Sequence, residues 1–520
     1  MRYGKNDFSN YTRGIEKEWL IANGRSGFAG TTIIGANSRK YHSLLNACLK
    51  SPDERFNILP KLEETVVVKG ELYPLTTTRF ESHIVEGYKN LQSFSYDGIP
   101  SYKYFVKGAF IEKKITMEYG KNTTVVEYKV TTSNNDVTLN FNPYLSFKNP
   151  GQAGKEENIK FKREVKENGF KLNPEFKSDI NINIFATEGK VSSKEERITE
   201  NVHYDVDERT GDVFLENFYV PGTISLNIEK NTTKTFYIIA TIENDLNINP
   251  KEVFEKSYAR IKELQEPFKG DNRIIAKYLP ITGDHFIVDR DSTNCKTILA
   301  GYPWFLDWGR DTMIAFPGLV LATKRFEEAK EILRSFTHYE KNGLIPNMFP
   351  DNGEEPLYNT VDASLWYIHC IYMYLVYSNN DKDIDFIKDE LYSTAQNIIE
   401  AYKNGTDFSI KMEDNHLISA GSGLDQVTWM DVRVNGIVVT PRHGCPVEIN
   451  ALWFNALKIM ELLADKIGDS KVIEYKELSE KVQESFVKEF WNQEGEYLYD
   501  VVNSVEKDAA IRPNQIWAVS

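Results

Sequence analysis

What this 520-residue chain has little of narrows its chemistry before any motif is considered. Cysteine is scarce: Cys48, Cys295, Cys370 and Cys445 lie far apart with no C-x-x-C pair, which excludes a small disulfide-stapled scaffold and argues against a zinc ribbon. The eight histidines offer no ligand spacing, so His42, His369 and His443 read as structural or surface residues and no metal is expected. There is no run of about 18 apolar residues to cross a bilayer. The opening MRYGKNDFSNYTRGIEKEWL also has no continuous apolar segment of the signal-peptide kind, so the expected location is the cytoplasm. Positive charge is in deficit, with 62 Lys and Arg against 76 Asp and Glu and a net charge of −14. A nucleic-acid binder usually shows the opposite, a basic patch or stripe, so neither nucleic acid nor membrane is an expected partner and a neutral substrate fits better. Phosphate-cradling glycine loops, H-E-x-x-H, G-x-S-x-G and EF-hand calcium loops are all missing, which removes the nucleotide, zinc-protease and serine-hydrolase readings and leaves no cofactor implied.

What is present is a folded chain of ordinary composition, 41% hydrophobic and 27% charged, too long for one hydrophobic core. From about residue 15 to 245 it reads as short β-segments separated by Gly, Asn, Asp and Pro: Thr65–Val68, Thr124–Val130, Val137–Phe141 and Thr235–Thr241. Many short strands in series predict a β-sandwich (super-sandwich). The polar stretch Gly151–Lys171 reads as a long loop. After Asn249 the period becomes helical. Helices are predicted at Pro250–Leu264, Asn272–Val288, Thr312–Thr323, Phe326–His338, Val361–Tyr377, Ile384–Tyr402, Val447–Ile467 and Lys471–Trp491. Several are apolar on more than one face, which suits a double layer of helices. The expected division is a β domain over 1–245, a linker helix over 246–270 and a helical domain over 271–520. Seven of the eight tryptophans fall in the helical half, which places a sugar-binding surface there.

Carboxylates interleaved with aromatics occur in four segments at turns between predicted helices: Gly301–Asp311, Gly343–Phe349 leading to Asp362, Gly421–Asp431, and Thr440–Glu448. Glycoside hydrolysis needs a carboxylic acid to protonate the leaving oxygen and a second carboxylate as base or nucleophile, with aromatic and polar groups around the sugar. Asp431 follows Trp429 and Met430, an apolar flank that suits a general acid. Plainer readings compete. Arg310–Asp311 can be a helix-start ion pair, Asp362 an N-cap and Glu448 an acidic first turn. Trp366, Trp453, Trp491 and Trp517 read as helix-packing residues.

Two segments, Glu18-Trp-Leu-Ile-Ala-Asn-Gly24 and Thr31-Thr-Ile-Ile-Gly-Ala-Asn-Ser-Arg-Lys-Tyr-His42, resemble the opening of the N-terminal domain of prokaryotic glycogen debranching enzymes, with Arg25-Ser-Gly-Phe28 a mild departure. Trp308-Gly-Arg-Asp311, Gly343-Leu-Ile-Pro-Asn347, Thr428-Trp-Met-Asp431 and Thr440-Pro-Arg442 with Val447-Glu-Ile449 are similar to that family's amylo-α-1,6-glucosidase motifs, in the same order. The resemblance implies an N-terminal β-sandwich followed by an (α/α)6 barrel that removes single α-1,6-linked glucose units with inversion. It implies Asp431 as general acid, with Trp308, Arg310, Asp311, Asn347, Asp362, Trp429, Arg442 and Glu448 lining or shaping the glucose subsite. Glycogen, limit dextrin or branched malto-oligosaccharide would be the substrate. The family's base is a glutamate beyond the Arg512-Pro-Asn-Gln515 segment. The expectation is therefore an incomplete barrel, completed by chain beyond Ser520 or by a separate C-terminal segment. Rival readings are another barrel glucosidase or phosphorylase, such as a glucoamylase, trehalase or maltose phosphorylase, or a non-catalytic glucan-binding fragment.

Overall fold

A computed structural model describes residues 1–349, 355–380 and 382–519 and divides the chain into two compact units, 1–289 and 290–520. The first is a β-sandwich built from antiparallel sheets. Nine strands run in the order Arg2–Gly4, Leu91–Tyr96, Pro100–Val106, Ala109–Met117, Thr123–Thr132, Thr233–Thr241, Ile182–Ala186, Gly169–Pro174 and Phe161–Lys166. A five-stranded sheet centred on Val137–Tyr144 and Lys61–Val68, and a four-stranded sheet over Glu18–Leu59, share one apolar core with it.

Period-two alternation sets which side chains enter that core. On Ala109–Met117 the residues Ala109, Ile111, Lys113 and Ile115 are buried while Phe110, Glu112 and Lys114 are more open. Lys113 is tolerated because its ammonium meets the buried Glu64 carboxylate at 2.5 Å. An unpaired charge there would cost several kcal/mol.

Strands expected at 65–68, 124–130, 137–141 and 235–241 lie within observed strands. The stretch 151–171 differs from expectation. It contains a short 3-10 turn and then the hairpin Phe161–Lys166 and Gly169–Pro174, which forms the edge of the nine-stranded sheet. Its polarity reflects edge position rather than loop structure, because an outermost strand is open along its free edge and is guarded there by charged side chains. Two helices, Pro250–Gln265 and Ile274–Asp284, also belong to this first unit.

Within the opening segment, His42 Nδ1 accepts the Ser38 backbone N–H at 3.1 Å, so its Nε2 carries the proton that faces Glu18. Burial works to raise the Glu18 carboxyl, but His42 and Arg39 outweigh it and hold it at about 2.

The second unit is helical. Three hairpins lie among its described residues: Gly309–Phe316 with Phe326–Thr337, Ala363–Ser378 with Tyr392–Asn404, and Val447–Ile467 with Val472–Phe490. Ala363–Ser378 contacts the first helix of the hairpin on either side, 309–316 and 447–467, as well as 326–337 and 392–404. This explains why it is apolar almost all round. Each hairpin pairs an inner helix with an outer one, the repeat of an α/α barrel. The first inner helix continues through a π turn at Pro317–Leu321, where the proline lacks the N–H that would extend the regular ladder. Helix Val447–Ile467 ends on Gly468, whose φ of +81° allows its N–H to close on the Ala464 carbonyl.

Candidate functional site

Arg310 sits in the first turn of helix Gly309–Phe316, and the backbone passes very close to a neighbouring segment at this point. A Cβ on Gly309 would lie 2.0 Å from the Pro346 carbonyl oxygen. The glycine is therefore what allows Trp308-Gly-Arg-Asp311 to lie against Gly343–Asn347. The same contact is knitted by the Gly309 N–H, which donates to the Asn347 carbonyl at 2.9 Å, and by pairing of Trp308 with Met348. Beneath it, fully buried Asp307 accepts from Arg290 Nη1 at 2.7 Å and Thr297 Oγ1 at 2.9 Å. Burial pushes its carboxyl up.

A cavity of about 350 Å³ opens beside this helix start, lined by Arg310, Ile314, Asp362, Trp366, Trp429, Glu448, Leu452, Pro513, Asn514 and Trp517. Asp362 occupies the N-cap position of Ala363–Ser378 but makes no capping bond. Its Oδ2 instead accepts Arg310 Nε at 2.6 Å, and its Oδ1 accepts Thr360 Oγ1 at 2.7 Å. Glu448 does lie in the first turn of its helix, where it is buried and gripped by both terminal nitrogens of Arg442. Burial pushes the Glu448 carboxyl up while Arg442 draws it down, and the upward effect wins.

Two further carboxylates stand nearer the solvent. Asp431 is about a third exposed, at 36% of its side chain, with Arg310 Nη1 3.5 Å from its Oδ2. Asp311 is exposed on the same helix turn. Desolvation in the concave surroundings pushes its carboxyl up, Arg310 opposes this, and Asp362 and Asp431 add to the rise. Arg310 Nη2 is buried with no hydrogen-bond partner among the described residues. A donor enclosed in this way is costly unless a neighbouring group shifts to meet it.

The four sequence segments thus meet. Arg310, Asp362, Trp429 and Glu448 form the cavity wall, Asp311 and Asp431 gather at Arg310, and Arg442 stands behind Glu448. Trp308 and Asn347 are not in the wall. They hold the strand-like contact under it, with the buried Asn347 Oδ1 also lacking a partner.

Sequence reasoning missed Asp500 and Asn514. Arg442 Nε reaches Asp500 Oδ2 at 2.8 Å, Arg512 Nη1 reaches the same oxygen at 2.7 Å, and Asn514 Nδ2 donates to Asp500 Oδ1 at 2.7 Å. Asn514 Oδ1 then accepts Trp429 Nε1–H at 2.8 Å. The indole two residues before Asp431 is thereby tied to a buried carboxylate through one amide. Trp366 and Trp517, expected as helix-packing residues, do meet edge-to-face with centroids 5.0 Å apart, and both also line the cavity. Trp366 lies four residues after Asp362, on the same helix face, which is the signal that could have found it.

Replacing Trp429 by phenylalanine keeps an aromatic wall but removes the bond to Asn514. In a form of the protein that turns over, the expected outcome is a roughly tenfold lower kcat, one neutral hydrogen bond's worth of positioning. The unfolding temperature should shift little because the side chain is 45% exposed. An unchanged kcat would mean that the amide tether does no positioning.

The family model described as glycogen debranching enzyme N terminal matches residues 17–235, and that described as amylo-alpha-1,6-glucosidase matches residues 281–520. The glycogen debranching enzyme of Saccharomyces cerevisiae is 27% identical over 294 residues, 43% of this chain and 19% of the relative. The chain therefore spans about a fifth of the length of that curated relative. A bacterial glucoamylase solved in complex with acarbose superposes with a TM-score of 0.51 at 13% identity, covering 95% of this chain and 69% of the other. That likeness is one of fold, a β-rich region followed by an (α/α)6 barrel. With its two halves matched in order and its motifs meeting around one cavity, the chain belongs to the glycogen debranching enzyme family.

Proposed function

We propose that the helical unit carries an amylo-α-1,6-glucosidase site, which hydrolyses the single α-1,6-linked glucose at a trimmed branch of glycogen or limit dextrin with Asp431 as general acid. The observation that carries this reading is how the carboxylates are divided. Asp362 and Glu448 are buried and committed to arginines, so neither can move a proton without breaking a buried pair. Asp431 stands partly exposed beside Arg310 and Trp429, where a leaving oxygen can reach it. The tryptophans of the cavity wall offer a stacking surface to a neutral sugar. No cofactor is required.

An inverting mechanism needs a second carboxylate roughly 6.5–9.5 Å from the first. Family resemblance supplies it from a glutamate beyond Arg512–Gln515, on continuing chain or a separate segment that completes the barrel. The test is glucose release from phosphorylase limit dextrin and 6-O-α-glucosyl cyclodextrin, by the 520-residue chain and by a form extended through the following codons. Turnover by either, independent of phosphate, supports the reading. Branched-oligosaccharide binding with no turnover by either form would favour a non-catalytic glucan binder, and a phosphate requirement would favour a phosphorylase.

One observation favours a second assignment. Asp311 is an exposed carboxyl beside Arg310 that desolvation pushes upward, as a proton donor's should be. The Asp311→Asn variant separates the two. If Asp431 is the acid, removing the neighbouring negative charge eases its ionisation, and the alkaline limb of the kcat/KM profile moves to lower pH. If Asp311 is the acid, activity is lost by about 10²–10⁴ at every pH.

A further inference from the structure

The β unit contains a second cavity of about 350 Å³, unconnected with the carboxylates described above. It lies between the end of strand Ala109–Met117, helix Pro250–Gln265 and helix Ile274–Asp284. At this size it is at the small end of ligand pockets, which span roughly 300–1,000 Å³. One side is apolar, formed by Ile21, Ile99, Met117, Val253 and Ile281. The other is polar. Arg260 grips Asp284 with two bonds, at 3.0 and 2.7 Å, and its guanidinium lies flat over the Tyr119 ring, 3.6 Å from the centroid. Thr116 and Ser257 share a hydroxyl bond of 2.8 Å.

Two groups on this polar side are left over. His285, only 9% exposed, lines the cavity and makes no side-chain hydrogen bond among the described residues. Burial depresses its pKa to about 4, so the ring is neutral, with one donor and one acceptor to offer. Glu118 pairs with Lys121 through Oε1 at 2.8 Å, but its Oε2 is buried and unpartnered. A buried imidazole with neither ring nitrogen satisfied, lining a cavity, is costly unless something in that cavity meets it.

The charges decide what that something is. Lys121 is committed to Glu118, Arg260 to Asp284 and Lys256 to Glu252 at 2.7 Å. The cationic groups that a phosphate would need are thus already neutralised. What remains is a neutral donor–acceptor ring, a carboxylate acceptor and hydroxyls facing an aliphatic wall, which suits a pyranose with its polar edge and apolar C–H face. We propose that this cavity binds one or two hexose units of a neutral saccharide, as a site separate from the one in the helical unit. The assignment of glucosyl units in particular rests on the debranching reading; the neutral-sugar chemistry does not.

The experiment is hydrogen exchange on the intact chain with maltose as probe and inorganic phosphate as control. Maltose should slow exchange saturably in residues 114–121, 250–265 and 274–286, and phosphate should not. The His285→Leu variant should weaken that midpoint about 3- to 10-fold, one hydrogen bond's worth, without altering protection around residues 429–431 and 513–517. If that variant fails to keep the exchange pattern of the nine-stranded sheet, Glu118→Gln serves instead, with the same expected weakening. No saturable protection at the three segments, equal protection by phosphate, or an unchanged midpoint in a folded variant overturns the proposal. Protection only around 429–431 and 513–517 overturns it while leaving the debranching reading intact. Protection only at the β-unit segments upholds it and counts against glucan binding in the helical unit.

Discussion

The Asp431→Asn variant is expected to release glucose from limit dextrin about 10²–10⁴ times more slowly than the parent form that turns over, with little change in KM. The amide keeps the size of the side chain and its place beside Arg310, so binding should survive while proton donation does not. A substrate whose leaving group needs no proton distinguishes lost chemistry from lost structure. On α-glucosyl fluoride the variant should retain most of the parent rate, because fluoride departs unaided. Near-parent activity on limit dextrin would remove Asp431 from the acid role. Equal loss on both substrates would point to structural damage.

Arg442→Leu should have the largest effect on stability. The guanidinium is 1% exposed and lies between Glu448 and Asp500, which are 4% and 2% exposed. Removing it leaves two carboxylates buried without their shared partner, at a cost of about 3–5 kcal/mol. For a helical unit of this size, that corresponds to a fall of roughly 10–15 °C in its unfolding transition by calorimetry.

The effect should depend on pH with a definite sign. Without the arginine the Glu448 carboxyl, already pushed up by burial, loses the group that draws it down, so the variant's deficit is smallest where that carboxyl is protonated and grows as pH rises through its folded-state value. Arg442→Lys should fall between the two, since an ammonium restores charge but not the two-pronged fit. An unchanged transition in the leucine variant would mean that the cluster contributes nothing to the unit's stability.

The fold was legible wherever periodicity was strong. Helix Val447–Ile467 was bounded to the residue because Pro446 and Gly468 punctuate it, and Phe326–Thr337 to within one. Helix Ile274–Asp284 was overextended at its C-terminal end, because the apolar run Phe286-Ile-Val288 continues the pattern yet Ile287–Arg290 pairs as a strand with Cys295–Ile298. The strip 151–171 was read as loop because an edge hairpin carries the same polar composition.

At the site, motif residues could be named because each motif keeps its aromatic and carboxylate together within a few positions. The supports could not. Asp500 lies 58 residues from Arg442, and Asn514 lies 85 from Trp429. Contacts at that separation leave no local pattern and exist only once the helices have assembled. The roles of Asp362 and Glu448 were ambiguous for a related reason: a cap and an arginine partner look alike until the partner's position in space is known.

The outermost strand of the nine-stranded sheet has a consequence for handling the protein. Phe161-Lys-Arg-Glu-Val-Lys166 carries an unused row of backbone donors and acceptors, and its half-exposed Val165 is flanked by Glu164 and Lys166. Charge is what keeps this ribbon from adopting another molecule's strand as its neighbour. Reagents that acylate Lys162 and Lys166 would strip that guard. The protein would then tend to clump edge to edge while each molecule was still folded, so turbidity after such treatment would report sticky ribbons and not unfolding.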